Sequence, residues 1–141
     1  MAHDTYVHES PDGVELVPLE KLLAEADIIS LHLTYDADTH HILNKENLSR
    51  TKRGAIVINT ARGGLIDETA LAEALASGQL DAAALDVFEQ EPYHGPLLKC
   101  ENAILTSHIG SLARESRQRM ELEAADNLLR GLGEAGIIEN E

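Results

Sequence analysis

Three side chains in this sequence have types and positions that could do chemistry together: Arg62, Glu91 and His108, each lying just beyond a run of apolar residues. The imidazole of His108 can give a proton to a carbonyl oxygen and take it back, because an ordinary histidine titrates at about pH 6.5. Glu91, if it reaches that ring, would hold its orientation. The guanidinium of Arg62 would clamp a carboxylate or stabilise an oxygen on which charge develops. Such a set suits reduction of a carbonyl, or oxidation of an alcohol, beside a carboxylate. The hydride has to come from a cofactor, since no side chain carries one. Asp86 adds a carboxylate among alanines at a strand end, which is costly unless it meets a donor. A nicotinamide carboxamide is one such donor, and a backbone or capping group is the other. Taken singly, each residue has a plainer reading: His108 as a polar loop residue near Gly110, Arg62 as a surface ion-pair partner, Glu91 as a turn residue. The other histidines, His3, His8, His32, His40, His41 and His94, lack metal-ligand spacing. On regular structure the adjacent rings of His40 and His41 would point apart, and no metal site is expected.

The elements that must position these groups are read from the hydrophobic pattern. Residues 56–64, Ile-Val-Ile-Asn-Thr-Ala-Arg-Gly-Gly, describe a buried strand whose carboxyl end opens into a turn. There Gly63 and Gly64 are expected to let the backbone bend sharply while Arg62 points into a crevice. Before it, residues 10–13 signal a turn, residues 14–17 a brief strand, and Pro18 the first turn of a helix carrying Leu22, Leu23 and Ala26. Residues 27–33 have the β-branched composition of a strand covered on both faces. Residues 35–41 are polar loop, Asn44 caps a short helix through Leu48, residues 52–54 close it, and Ala55 begins the strand. After the turn, Asp67 caps a helix with Ala70, Leu71, Ala74 and Leu75 on one face, and Gly78 stops it. Strands follow at residues 82–87 and 103–106, then a helix to about Leu132 and a tail expected to fray. The alternation predicts a parallel α/β sheet flanked by helices, with Asn59 to Arg62, Asp86 to Glu91, and His108 along one edge.

Composition narrows the function classes. The 141 residues carry 25 acidic against 11 Lys and Arg side chains, a formal charge of −14, so binding to nucleic acid or an anionic membrane is not expected. The apolar fraction, 43%, suits one folded domain with a core. One cysteine, Cys100, leaves no intrachain disulfide and no CxxC pair, which points to a reducing, cytoplasmic compartment. No apolar run approaches the roughly 18 residues needed to span a bilayer.

Three stretches, Asn59-Thr-Ala-Arg-Gly-Gly-Leu-Ile-Asp67, Ala84-Leu-Asp-Val-Phe-Glu-Gln-Glu-Pro92 and Leu105-Thr-Ser-His-Ile-Gly110, resemble in order and spacing the signatures of the D-isomer-specific 2-hydroxyacid dehydrogenases. That family includes phosphoglycerate, glycerate and hydroxypyruvate enzymes. The resemblance implies a Rossmann-like NAD-binding domain with catalytic residues Arg62, Glu91 and His108. It further implies that Thr60, Ala61, Arg62, Asp86, His108, Gly110 and Ser111 contact the nicotinamide half of the cofactor. Leu33 and Thr34 fall where the family loop passes the cofactor. Asp4 falls on the acidic residue that takes the adenosine ribose hydroxyls, which favours NAD over NADP. The implied substrates are small 2-hydroxy or 2-keto acids.

The family's glycine-rich G-x-G-x-x-G loop, with its strand and helix, would precede Asp4 by about 20 residues, and a separate substrate domain would flank the cofactor domain. The expectation is therefore that residues 1–141 are a partial NAD-binding domain with the first strand and phosphate cradle missing, binding NAD weakly and turning nothing over alone. Loss of the first strand would expose the edge of the strand at residues 27–33. Two copies are expected to pair there, or by lending the helix after Ser111. The alternative is a catalytically inactive domain fragment, or an interaction module like the family's NADH-responsive corepressors.

Overall fold

The computed structural model describes residues 1–10, 13–110 and 112–137. Pro11 and Asp12 of the expected turn, Ser111, and the tail from residue 138 lie outside the described residues. The chain divides into two units, Met1–Ser107 and His108–Glu141.

The first unit is built on four parallel strands, β1 (Ile28–Leu31), β2 (Ala55–Asn59), β3 (Leu80–Leu85) and β4 (Ala103–Leu105), hydrogen-bonded in that sequential order. Like-directed neighbours need crossovers. Here β1 reaches β2 through α2 (Lys45–Ser49), β2 reaches β3 through α3 (Glu68–Ala76), and β3 reaches β4 through only a 3-10 turn, Pro96–Lys99. Register pairs Asn59 with Leu85 and Leu85 with Leu105, so the carboxyl ends of β2, β3 and β4 finish at one edge of the sheet.

Local chemistry sets each boundary. Asn44 caps α2 by accepting the Asn47 N–H at 3.0 Å. Asp67 caps α3 with one carboxylate oxygen that accepts the N–H groups of Thr69 and Ala70, both at 3.0 Å. Ala70, Leu71, Ala74 and Leu75 are all buried, and α3 packs on β3 and on α2. Gly78, at φ 69°, ends that helix in a left-handed conformation that a side chain would strain. Helix α1 (Leu19–Glu25) has Pro18 just before it rather than within its first turn. The core draws Leu23 from α1, Leu48 from α2, Val57 from β2, Leu71 from α3 and Leu80 from β3. Each such leucine removed from water is worth about 2 kcal/mol.

Two expectations are corrected here. Residues 14–17 form no strand; Leu16 makes a single parallel bridge with Ala2. β1 is not covered on both faces: Ile29 and Leu31 are buried while Ile28 is 59% exposed. β-branched composition reports an extended chain, and the cover over each face is set by what the rest of the fold lays against it.

The second unit contains one long helix, α4 (Arg114–Glu134). A single helix has no second layer of its own to bury against, and Met120, Leu122, Leu128 and Leu129 are exposed. Among the described residues no helix is long and apolar enough to cross a membrane.

Candidate functional site

The turn after β2 is held by the strand's last residue. Asn59 is fully buried, and its side-chain amide donates to the Arg62 carbonyl at 2.9 Å while its oxygen accepts the Ala61 N–H at 3.1 Å. Its own carbonyl accepts the Asp86 N–H at 3.0 Å, tying the ends of β2 and β3 together. Arg62 is exposed, and its guanidinium donates to the Ala61 carbonyl at 2.6 Å.

Gly63 and Gly64 serve this turn differently from the sequence expectation. Neither has positive φ. A Cβ on Gly63 would overlap the Phe88 carbonyl and the Glu89 nitrogen, and one on Gly64 would meet the Tyr35 ring at 2.5–2.8 Å. The glycines are required by close approach of two neighbouring segments, and the chain bends through an ordinary 3-10 turn, Gly63–Leu65.

Four of the residues singled out in the sequence meet in one place. Leu33, Thr34, Ala61 and Arg62 line a cleft of about 460 Å³ over the carboxyl ends of β1 and β2, closed by His32 and Tyr35. A neighbouring concavity of about 400 Å³ shares His32, Leu33 and Thr34 and carries Asp4. Together they extend from Asp4 to Arg62. Asp4 accepts the backbone N–H groups of Tyr6 at 2.8 Å and Val7 at 3.0 Å, and these two bonds hold its carboxyl below the ordinary aspartate range. A larger cavity, about 720 Å³, lies along the outer edge of β1 beside Ala2 and His3.

Two further candidates of the first unit, Asp86 and Glu91, are not among the described residues that line that cleft. Asp86 is 9% exposed and accepts the Thr106 hydroxyl at 2.5 Å, so this carboxylate meets a donor within the fold. Glu91 accepts the Phe88 N–H at 3.2 Å and lines a separate cavity of about 440 Å³ with Phe88, Tyr93, Leu105 and Ser107. His108, at φ 56°, opens the second unit and is followed there by Gly110. Thr60 is exposed at the end of β2, and Ser111 lies outside the described residues.

Several residues had no periodic signal to announce them. Tyr35 and His32 close the cleft, yet one read as loop and the other as strand. The rings of His40 and His41 do not point apart; they stack with centroids 3.8 Å apart, because His41 takes a left-handed backbone at φ 49°. His41 also contacts the Glu89 carboxylate. Near Glu89, Glu68 accepts the Glu89 N–H at 2.9 Å, and burial raises its carboxyl above the ordinary glutamate range. Residues Gly131-Leu-Gly-Glu-Ala-Gly136 have dinucleotide-loop glycine spacing in the wrong setting. They sit at the end of α4, where the Ala135 and Gly136 N–H groups are spent on the carbonyls of Gly131 and Gly133. A phosphate cradle needs the free N–H groups of a helix start.

A parallel α/β sheet with clefts over the carboxyl ends of its strands is the Rossmann-like architecture of dinucleotide-linked dehydrogenases. Residues 1–110 match the NAD binding domain of the D-isomer specific 2-hydroxyacid dehydrogenases, and the chain belongs to that family. It is 50% identical over 119 residues to a glyoxylate reductase of Korarchaeum cryptofilum, covering 83% of this chain and 36% of that protein. It is 42% identical over 137 residues to a hydroxypyruvate reductase of Thermotoga maritima, covering 94% of this chain and 45% of that protein. The crystal structure of a glyoxylate reductase from Paecilomyes thermophila superimposes with a TM-score of 0.82 at 43% identity, over 89% of this chain and 38% of that one. The chain thus spans 36–45% of the length of these relatives.

Proposed function

We propose that this chain supplies the nicotinamide side of an NAD-dependent oxidoreductase acting on a small D-2-hydroxy or 2-keto acid. The observation that carries this reading is the cleft in which Leu33, Thr34, Ala61 and Arg62 meet, continuous with the concavity that holds Asp4. Its donor set fits the cofactor at both ends. Leu33 and Ala61 offer apolar and small surfaces to a planar ring, and the Asp4 carboxylate accepts ribose hydroxyls and repels a 2′-phosphate. When bound, the nicotinamide supplies or takes the hydride at C2 of the acid. Arg62 pairs with the substrate carboxylate. In this reading, which the family resemblance supports, His108 would carry the hydroxyl proton with Glu91 as its orienting partner, and Thr60, Asp86, Gly110 and Ser111 would contact the nicotinamide.

Among the described residues, neither concavity is lined by a helix start that could receive the pyrophosphate, so in this reading the chain alone binds NADH weakly and has no turnover. Titration followed by backbone amide NMR tests this. The expected result is a dissociation constant weaker than micromolar, with shifts at Asp4, Leu33, Thr34 and Ala61. Asp4→Ala removes a preference for NADH over NADPH. A micromolar constant, or shifts confined to other surfaces, would defeat the reading.

Two surfaces favour self-association in the cytoplasm, the compartment that suits the single free cysteine, Cys100. Among the described residues β1 ends the strand order with no strand paired on its outer edge, and α4 exposes Met120, Leu122, Leu128 and Leu129. Two copies pair along that edge or exchange α4, and the same surfaces would serve a non-catalytic interaction module. Light scattering should give a dimer mass at micromolar concentration; a monomer throughout would refute it.

A further inference from the structure

We propose that His40, His41 and Glu89 form a site for a divalent transition-metal ion, of the zinc type, that staples two loops across the Arg62 turn. One imidazole nitrogen from each histidine and a carboxylate oxygen lie within 4.8 Å of one another. Tetrahedral zinc with bonds of about 2.0–2.2 Å sets its ligands about 3.5 Å apart, so closing the site needs shifts of about 1 Å. The side chains have that freedom, being exposed or half-buried. Two imidazoles and one carboxylate leave a fourth position for water, and this donor set selects zinc, nickel or copper over magnesium or calcium.

Several features of the fold converge on this cluster. The left-handed backbone at His41 turns its ring onto that of His40, which sequence neighbours on regular structure do not do. The Tyr35 hydroxyl bonds His40 Nδ1 at 3.1 Å and orients that ring. Glu68, bonded to the Glu89 N–H, adds a second carboxylate nearby and so negative potential. In the structure His41 and Glu89 already touch.

The ligands come from the two segments that meet the Arg62 turn at Gly64 and at Gly63. The His41 N–H donates to the Gly64 carbonyl at 2.9 Å, and Gly63 lies against the Phe88 and Glu89 backbone. An ion held by both segments therefore braces Gly63 and Gly64 between them, and with these the turn that presents Arg62.

Calorimetric titration of the chain with zinc chloride tests the site, with magnesium chloride beside it. One zinc ion per chain is expected, with a micromolar dissociation constant and no magnesium binding in that range. His40→Ala, His41→Ala and Glu89→Gln should each weaken zinc at least ~10-fold, while His3→Ala and His94→Ala leave it unchanged. Cobalt should give the visible absorption of a tetrahedral ion in the parent and lose it in His41→Ala. Zinc should also raise the urea midpoint of the parent and not of His41→Ala, and far-UV circular dichroism verifies that each variant is folded. No zinc binding below about 1 mM, or binding undiminished in both histidine variants, would overturn the proposal.

Discussion

Replacing Asn59 by alanine should release the Arg62 turn at a cost that the structure allows to be worked out. Asn59 has no solvent exposure, and its amide bonds both the Arg62 carbonyl, at 2.9 Å, and the Ala61 N–H, at 3.1 Å. A polar group left without its partner costs about 1–3 kcal/mol. Ala61 is half-buried and Arg62 exposed, so water recovers part of each bond and the lower end applies, about 2 kcal/mol for the two. The vacated side-chain volume adds about 1 kcal/mol. The expected loss is about 3 kcal/mol, or about 10 °C in Tm for a domain of this size. Urea unfolding followed by far-UV circular dichroism measures the first figure, and a thermal scan the second. Asn59→Asp retains the acceptor for Ala61 but sets a carboxylate oxygen against the Arg62 carbonyl, so it should fall at least as far. An Asn59→Ala protein within about 0.5 kcal/mol of the parent would refute the reasoning, since that is the range of an ordinary surface change.

Gly63→Ala should be destabilising by about 3 kcal/mol or more, because the new methyl meets Phe88 and Glu89 backbone rather than a side chain that can rotate away; a urea midpoint equal to the parent's would contradict it. Glu68→Gln should depend on pH. Burial raises the Glu68 carboxyl above its unfolded value, so the folded state binds the proton more tightly than the unfolded one, and the charged form weakens the fold once pH rises above the folded pKa. The glutamine keeps an acceptor for the Glu89 N–H, so the variant should gain on the parent in urea titrations near neutral pH and lose that gain below about pH 4.5. A stability difference that does not change with pH would count against it.

The local part of this protein was written in short-range chemistry. Asp67 and Asn44 announced helix starts because a capping oxygen needs only the next three residues, Gly78 announced a stop for the same reason, and the apolar runs around Ile29, Val57 and Ala83 announced strands. Family motifs around Arg62, Glu91 and His108 were equally legible, being contiguous. Tertiary structure decided what lies between distant segments. Gly63 and Gly64 looked like residues that let the backbone bend sharply, and only the approach of Phe88, Glu89 and Tyr35 reveals them as spacers. The rings of His40 and His41 were expected to point apart, until a left-handed backbone stacked them and a loop 48 residues beyond His41 brought Glu89 to it. β1 looked doubly covered, and its exposed Ile28 depends on neighbours that no strand encodes. A sequence states which bonds a residue can make with its near neighbours; close approach, stacking and burial are properties of pairs far apart in the chain, and only the folded chain sets them.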